Sequence, residues 1–245
     1  MHCIGVIPAR YKSSRFPGKP LALIANKPMI QHVFERSRDA KTLEQVYIAT
    51  DDPRIRDAAM EFTENVIMTS PEHQSGTDRI AEAVSGMDAE LVVNIQGDEP
   101  LIRSRVIDSA VKPLLESNDI EMGTLACPLP AGEENNTNIV KVVFDTNHRA
   151  LYFSRATIPY HRTGADTPEF WQHIGLYVYR SDFLHSFTEY PPTPLERKER
   201  LEQLRALEHG HYIHVELTDY TSIGVDTETD LEHVRTIYET EDQIL

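Results

Sequence analysis

The sequence predicts an α/β fold: a mostly parallel sheet covered by helices, with an added β-rich lobe of antiparallel strands. Three observations carry this. Short apolar runs alternate with helix-like stretches through the first half of the chain. The run L-V-V-N-I at 91–95 is almost continuously apolar, as a strand buried on both faces requires. In the second half, strand-like runs follow one another with little helix between them, which favours antiparallel pairing.

Taken in order, the first-half strands are expected at 4–7, 46–49, 66–68 and 91–95. Helices are expected near 28–39, 53–62, 77–86 and 103–116. D-D-P at 51–53 reads as a strand end followed by a helix with proline in its first turn. The second-half strands are expected at 121–128, 139–145, 150–154 and 173–180. A helix carries Leu201, Leu204 and Leu207, a strand follows at 212–217, and a last helix runs from about 228 to 238. No Gly/Ser linker, repeat or low-complexity tract interrupts the chain, so it reads as one α/β domain with an inserted or appended lobe.

Composition narrows the class. With 40% apolar and 26% charged residues in 245, the chain has the balance of a soluble globular protein. No apolar run approaches the roughly 18 residues of a membrane span, and the N-terminus enters a strand directly, so a cytoplasmic protein is expected. Cys3 and Cys127 lie in separate apolar runs and read as buried thiols. The formal net charge of −15, with no downstream basic stripe, argues against a nucleic-acid partner.

Charge distribution is more telling than its total. Residues 1–34 contain no Asp or Glu and carry Arg10, Lys12, Arg15, Lys19 and Lys27. Four of these cations lie in P-A-R-Y-K-S-S-R-F-P-G-K-P-L at 8–21, directly after the first apolar run. A loop of cations and backbone N–H groups at a strand end is where an open α/β sheet binds phosphate. It matches neither the Walker A loop nor G-x-G-x-x-G.

The second motif is N-I-Q-G-D-E-P at 94–100. An apolar strand stops, a glycine permits a sharp turn, and Asp98 projects at the strand's carboxyl end. Beside a polyphosphate, that carboxylate suggests Mg²⁺; alternatively it caps the following turn. Asp226, in G-V-D-T at 224–227, reads as well as a helix cap as it does as a ligand, and Thr227 is an equal capping candidate. H-Q-S-G-T-D-R at 73–79 opens a helix with hydroxyl and backbone donors; Thr77 in it is also an ordinary N-cap. Taken alone, His173 and Glu202-Gln203 suit a structural role as well as a functional one. Paired metal-spaced cysteines, H-E-x-x-H and G-x-S-x-G are absent.

The motifs together are specific. P-A-R-Y-K-S-S-R-F-P-G-K-P-L at 8–21, A-T-D-D at 49–52, M-T-S-P-E-H-Q-S-G-T-D-R-I at 68–80, N-I-Q-G-D-E-P-L-I at 94–102, A-L-Y-F-S-R-A-T-I-P at 150–159, H-I-G-L-Y at 173–177, L-E-Q-L-R-A-L at 201–207 and G-V-D-T at 224–227 occur in order. In combination they resemble the 3-deoxy-manno-octulosonate cytidylyltransferase (CMP-Kdo synthetase) family over nearly the whole chain. The resemblance implies a Rossmann-like nucleotidyltransferase fold, one domain over residues 1–245 with a sugar-binding and dimerisation lobe near 120–180, and a cytosolic homodimer in lipopolysaccharide biosynthesis. It implies that CTP and Kdo are the substrates and CMP-Kdo and pyrophosphate the products. The alternative is a cytidylyltransferase for another acidic sugar, 8-amino-Kdo or a sialic acid.

Family roles transfer by matching position. Arg10, Ser13, Arg15 and Lys19 would bind the CTP phosphates and ribose, with Arg10 and Lys19 also catalytic. Gln74, Ser75, Arg79 and Gln96 would surround the nucleotide. Asp98 and Asp226 would hold Mg²⁺. Arg155, His173, Tyr177, Glu202 and Gln203 would surround the sugar acid. The chain departs from the family pattern at Asn26, where glycine is common, and at Thr63-Glu64, Ser222-Ile223 and Glu228.

Overall fold

The computed structural model describes residues 2–12, 16–162 and 169–242. In chain order, β1 (Cys3–Ala9) leads through a short 3-10 turn (Lys19–Leu21) to the hairpin β2 (Leu23–Ile24) and β3 (Lys27–Pro28). Then follow α1 (Met29–Arg38), β4 (Gln45–Thr50), α2 (Pro53–Met60), β5 (Val66–Met68), α3 (Gly76–Val84), β6 (Leu91–Asn94) and α4 (Ser104–Glu116). The second half holds β7 (Met122–Pro128), β8 (Lys141–Phe144), β9 (Ala150–Ser154) and β10 (Trp171–Arg180). The chain continues through α5 (Ser181–Glu189), α6 (Pro194–Glu199), α7 (Leu204–Glu208), β11 (Ile213–Leu217) and α8 (Glu228–Asp242).

Two compact units result: residues 1–108 with 222–245, and residues 109–221. In the first, β6, β1, β4 and β5 lie side by side, all parallel. Ile7, Ile48, Val92 and Val93 are fully buried in these strands, and Ile30, Val33, Ile55 and Ile80 are fully buried in the helices between them. This is the expected strand–helix alternation. Asp52 caps α2 by accepting from Arg54 N at 3.0 Å, with Pro53 in the first turn.

The C-terminal helix belongs to this first unit. Leu231, Val234 and Tyr238 of α8 join Ile24, Met29, Leu101 and Val225 in one buried cluster, with Ile223 packed against it. The Tyr238 hydroxyl donates to Pro100 O at 2.8 Å and accepts from Arg36 Nε at 3.1 Å. Asn26 explains its own departure from glycine. It occupies the β2–β3 turn at φ 62°, after Ala25 at 44°. Asparagine is the side chain that best tolerates that left-handed backbone.

In the second unit β11 pairs parallel with β7, whereas β7–β10, β10–β8 and β8–β9 are antiparallel. The antiparallel lobe is therefore present, and the mixed α/β class is as expected. Sequence patterning missed α5, which continues directly from β10, and it ran one helix through 201–207 where α7 begins only at Leu204. Cys3 and Cys127 are buried free thiols, and burial pushes their pKa values up to about 12 and about 11. No helix among the described residues is long and apolar enough to cross a membrane.

Candidate active site

The carboxyl ends of β1 and β6 and the start of α3 border a cleft of about 340 Å³ in the first unit. Arg10, Lys19, Gln74, Ser75, Arg79, Gln96, Asp98 and Asp226 all line it. Ser13 and Arg15 lie outside the described residues. His73, at the head of the H-Q-S-G-T-D-R segment but not among the expected site residues, also lines the cleft; its ring hydrogen-bonds Glu82.

The loop after β1 is folded back by Gly18, whose φ of 73° suits glycine and whose N–H donates to Tyr11 O at 2.9 Å. That turn brings Lys19 to the end of β6. Its Nζ lies 2.7 Å from Asp98 Oδ2 and 3.3 Å from Asp226 Oδ1. A side chain at Gly97 would sit 3.0 Å from the Pro8 carbonyl, so any other residue would crowd the close approach of the Asp98 turn to β1. Val225 N donates to Asp98 O at 2.9 Å, so a main-chain bond joins the segments bearing the two carboxylates.

The capping alternatives resolve here. Thr227 Oγ1 accepts from Asp230 N at 3.2 Å, and Asp230 Oδ2 accepts from Thr227 N at 2.9 Å. Thr227 thus caps α8, and the Asp226 carboxylate faces Lys19 instead. Burial would raise the pKa of Asp230, but bonds from Asp226 N and Thr227 outweigh it and hold that pKa low. At α3, Ser75 and Asp78 form the capping box, and Thr77 does not cap. Ser75 Oγ therefore already accepts one bond. Arg79 is buried; it pairs with Asp51 at 3.1 Å and bonds Thr69, so its charge at the cleft wall is held in place.

Two carboxylates converging on one ammonium define a cation position at the cleft end. Hard oxygen donors, few in number, are the set Mg²⁺ takes from a protein when phosphate completes its shell. The donor chemistry fits that ion.

The remaining candidates lie in the second unit. The register of β10 against β7 shifts between Ile174 and Tyr177. In a regular strand residues four apart stand about 13 Å from one another. Across this bulge the His173 and Tyr177 rings are 5.4 Å apart. Thr124, opposite the bulge, has its hydroxyl 3.1 Å from Ile174 O, 2.8 Å from Leu176 O and 2.9 Å from His173 Nε2. Carbonyls only accept, so the hydroxyl proton goes to them. His173 Nε2–H then donates to Thr124 Oγ1, leaving Nδ1 an open acceptor. Burial pushes the His173 pKa down to about 3, so the ring is neutral at neutral pH. Burial likewise raises Tyr177 well above the ordinary phenol, with Tyr179 and Glu202 adding to it.

Glu202 and Gln203 lie between α6 and α7, which Arg205 clamps together through a bidentate pair with Glu196. Gln203 is 4% exposed, and its Nε2 has no partner among the described residues. A buried amide without a partner is costly unless something else accepts from it. The Arg155 guanidinium bonds main-chain carbonyls: its Nε donates to Glu199 O at 3.0 Å and its Nη1 to Thr137 O at 3.1 Å. Glu199, unremarked in the sequence, accepts from Ser154 Oγ at 2.7 Å and Arg155 N at 3.0 Å. Burial raises the Glu199 pKa, but these bonds outweigh it and hold it below the ordinary carboxylate range.

The sequence profile of the cytidylyltransferase family matches residues 4–216. The chain belongs to this cytidylyltransferase family. It is 54% identical over 237 residues to the 3-deoxy-manno-octulosonate cytidylyltransferase of Solibacter usitatus (strain Ellin6076), covering 96% of this chain and 94% of that one. To the enzyme of the same name from Syntrophobacter fumaroxidans (strain DSM 10017 / MPOB) it is 52% identical over 239 residues, 96% of each chain. Among solved structures, CMP:2-keto-3-deoxy-manno-octonic acid synthetase complexed with CTP matches with a TM-score of 0.94 at 40% identity, over 98% of this chain and 100% of that one. A cytidylyltransferase of Leptospira borgpetersenii serovar Hardjo-bovis (strain JB197) shares the fold at TM-score 0.64 and 19% identity, over 96% of this chain and 85% of that one.

Proposed function

We propose that the chain transfers CMP from CTP to the anomeric hydroxyl of Kdo, giving CMP-Kdo and pyrophosphate. The observation that carries this is the Lys19–Asp98–Asp226 cluster at the end of a cation-lined cleft, in a chain about half identical to enzymes of that name. The anomeric hydroxyl oxygen attacks the α-phosphorus: an O–P bond forms, the bond from the α-phosphorus to the departing pyrophosphate breaks, and the hydroxyl proton passes to solvent.

In this reading, Arg10 and Lys19 bind the phosphates and offset charge building on the pyrophosphate. Gln74, Ser75 and Gln96 position the nucleotide, and Arg79 fixes the wall behind it. Asp98 and Asp226 hold Mg²⁺, which when bound polarises phosphate oxygens. Positioning supplies most of the acceleration in phosphoryl-type transfer. On the sugar side, neutral His173 accepts through Nδ1, Gln203 Nε2 donates, and Arg155 and Tyr177 supply the remaining donors beside Glu202. A cytoplasmic homodimer serving lipopolysaccharide synthesis completes the reading and rests on the family resemblance.

Pyrophosphate release from CTP tests it, measured with and without Mg²⁺ and with Kdo, 8-amino-Kdo or a sialic acid as acceptor. Release should require both acceptor and Mg²⁺, and kcat/KM should be highest for Kdo. Release that ignores the acceptor rejects the transferase reading. A clear preference for another sugar rejects the substrate alone.

A further inference from the structure

His148, His214 and Glu216 lie outside both clusters described above. They belong to the second unit: His148 precedes β9, and His214 and Glu216 stand two apart on β11, hence on one face of that strand. One donor atom from each side chain lies within 4.8 Å of the other two. His214 Nε2 and Glu216 Oε2 are 3.4 Å apart. Ligands of one zinc ion, each about 2.0–2.2 Å from the metal, stand at about that spacing in tetrahedral geometry. The rings of His148 and His214 are stacked at 5.9 Å and 15°.

We infer that His148, His214 and Glu216 form a three-ligand site for a transition-metal dication of the zinc class, its remaining position open to water. Two imidazoles and a carboxylate are the N,N,O set such ions take, and a poor one for Mg²⁺. His148 is built for the role. Its backbone is held at φ 61°, with Asp145 Oδ1 accepting from Asn147 N and Arg149 N to shape the turn. Val215 N donates to His148 O at 2.8 Å, and His148 Nδ1 lies 3.0 Å from Val215 O. Because a carbonyl only accepts, Nδ1 carries the proton and Nε2 keeps its lone pair. Metal-ligating histidines are ordinarily oriented by just such a bond from the other ring nitrogen. The nearby cation, Arg149, lies 4.4 Å from the Tyr212 ring, which draws its charge.

Co²⁺ is the probe, added to chelator-stripped full-length protein in millimolar MgCl₂ so that the Asp98–Asp226 position is already served. The visible absorption of low-coordinate Co²⁺ should saturate at one ion per chain and be displaced by Zn²⁺. Trp171, the chain's one tryptophan, offers a local reporter. It packs 5.5 Å from Phe144, which lies 5.7 Å from the His148 ring, so bound Co²⁺ should quench its fluorescence. His148→Asn, which tolerates the left-handed backbone, and His214→Gln should each weaken binding about tenfold or more. Asp98→Asn should leave the signal intact. Melting curves of the metal-free variants report whether each has folded, and the near-isosteric Glu216→Gln, at a half-buried position, supplies a variant with little folding risk. Undiminished affinity in both histidine variants, or no Co²⁺ bound by the parent in Mg²⁺, overturns the site.

Discussion

Lys19 holds together two carboxylates that would otherwise repel across the cleft, at 2.7 and 3.3 Å. It does so as a neighbour of the position where a divalent cation would sit, so ammonium and metal compete for the same oxygens. Lys19→Ala should therefore act in two directions. Without nucleotide, Mn²⁺ binding followed by paramagnetic resonance should tighten several-fold, because a like charge has been removed. CTP binding should weaken by about 1.5–3 kcal/mol, the cost of a charge-assisted phosphate contact. Calorimetry showing unchanged CTP affinity would remove Lys19 from the phosphate site. Much of this residue-level picture was legible in the sequence: an acid-free stretch with five cations and a Gly-Asp turn are local patterns. Whether Asp226 caps a helix or faces a cation was not, because that depends on Thr227 and Asp230 forming the cap between themselves.

At the scale of elements, the bulge in β10 brings His173 and Tyr177, four residues apart, into ring contact. H-I-G-L-Y at 173–177 was visible as a motif, but its reason lies in β7, fifty residues upstream, where Thr124 bonds Ile174 O and Leu176 O. A lone threonine in an apolar run gives no such signal. Thr124→Val keeps the volume and deletes the hydroxyl. It should cost about 1–3 kcal/mol in urea unfolding, since buried carbonyls lose their donor. It should also raise the KM for Kdo while leaving CTP affinity unchanged. A fully stable variant would mean that the bulge is held by the backbone alone. The return of α8 to the first unit was equally hidden, since periodicity locates a helix but not its partner. Tyr238 is 8% exposed and bonds Pro100 and Arg36. Tyr238→Ala should destabilise by about 3–5 kcal/mol, as large-to-small core changes do. A loss well under 1 kcal/mol in the same unfolding assay would show that α8 is dispensable to that core.

For the whole molecule, alternation and apolar runs made the α/β class legible, because sheet burial writes itself into the sequence with a short period. Titration behaviour was not legible, because it follows from what surrounds each histidine. Burial lowers the pKa of His173 to about 3 and lowers those of His32 and His214. Each therefore takes up its proton at lower pH when folded than when unfolded, where it titrates near 6.5. Below that pH the unfolded chain binds protons that the folded chain does not. Their contribution to stability is therefore complete above about pH 6.5 and is lost as pH falls, for His173 down to about 3. The slope reaches at most about 1.4 kcal/mol per pH unit for each histidine. The lowered carboxylates, Glu196 and Glu199 among them, add a further loss only below the ordinary carboxylate range, near pH 4. One effect runs the other way, since a chain of net charge −15 repels itself less as it gains protons. Salt separates the two: added NaCl screens long-range repulsion and leaves the cost of charging an enclosed imidazole nearly untouched. Urea midpoints measured in high salt should thus fall between pH 7 and pH 5 in the parent. In His173→Gln, which cannot titrate but still donates to Thr124, the same interval should be measurably flatter. Parallel slopes for parent and variant would place a charged imidazole at position 173 in the folded protein, and the neutral acceptor assigned to the sugar side would have to be given up.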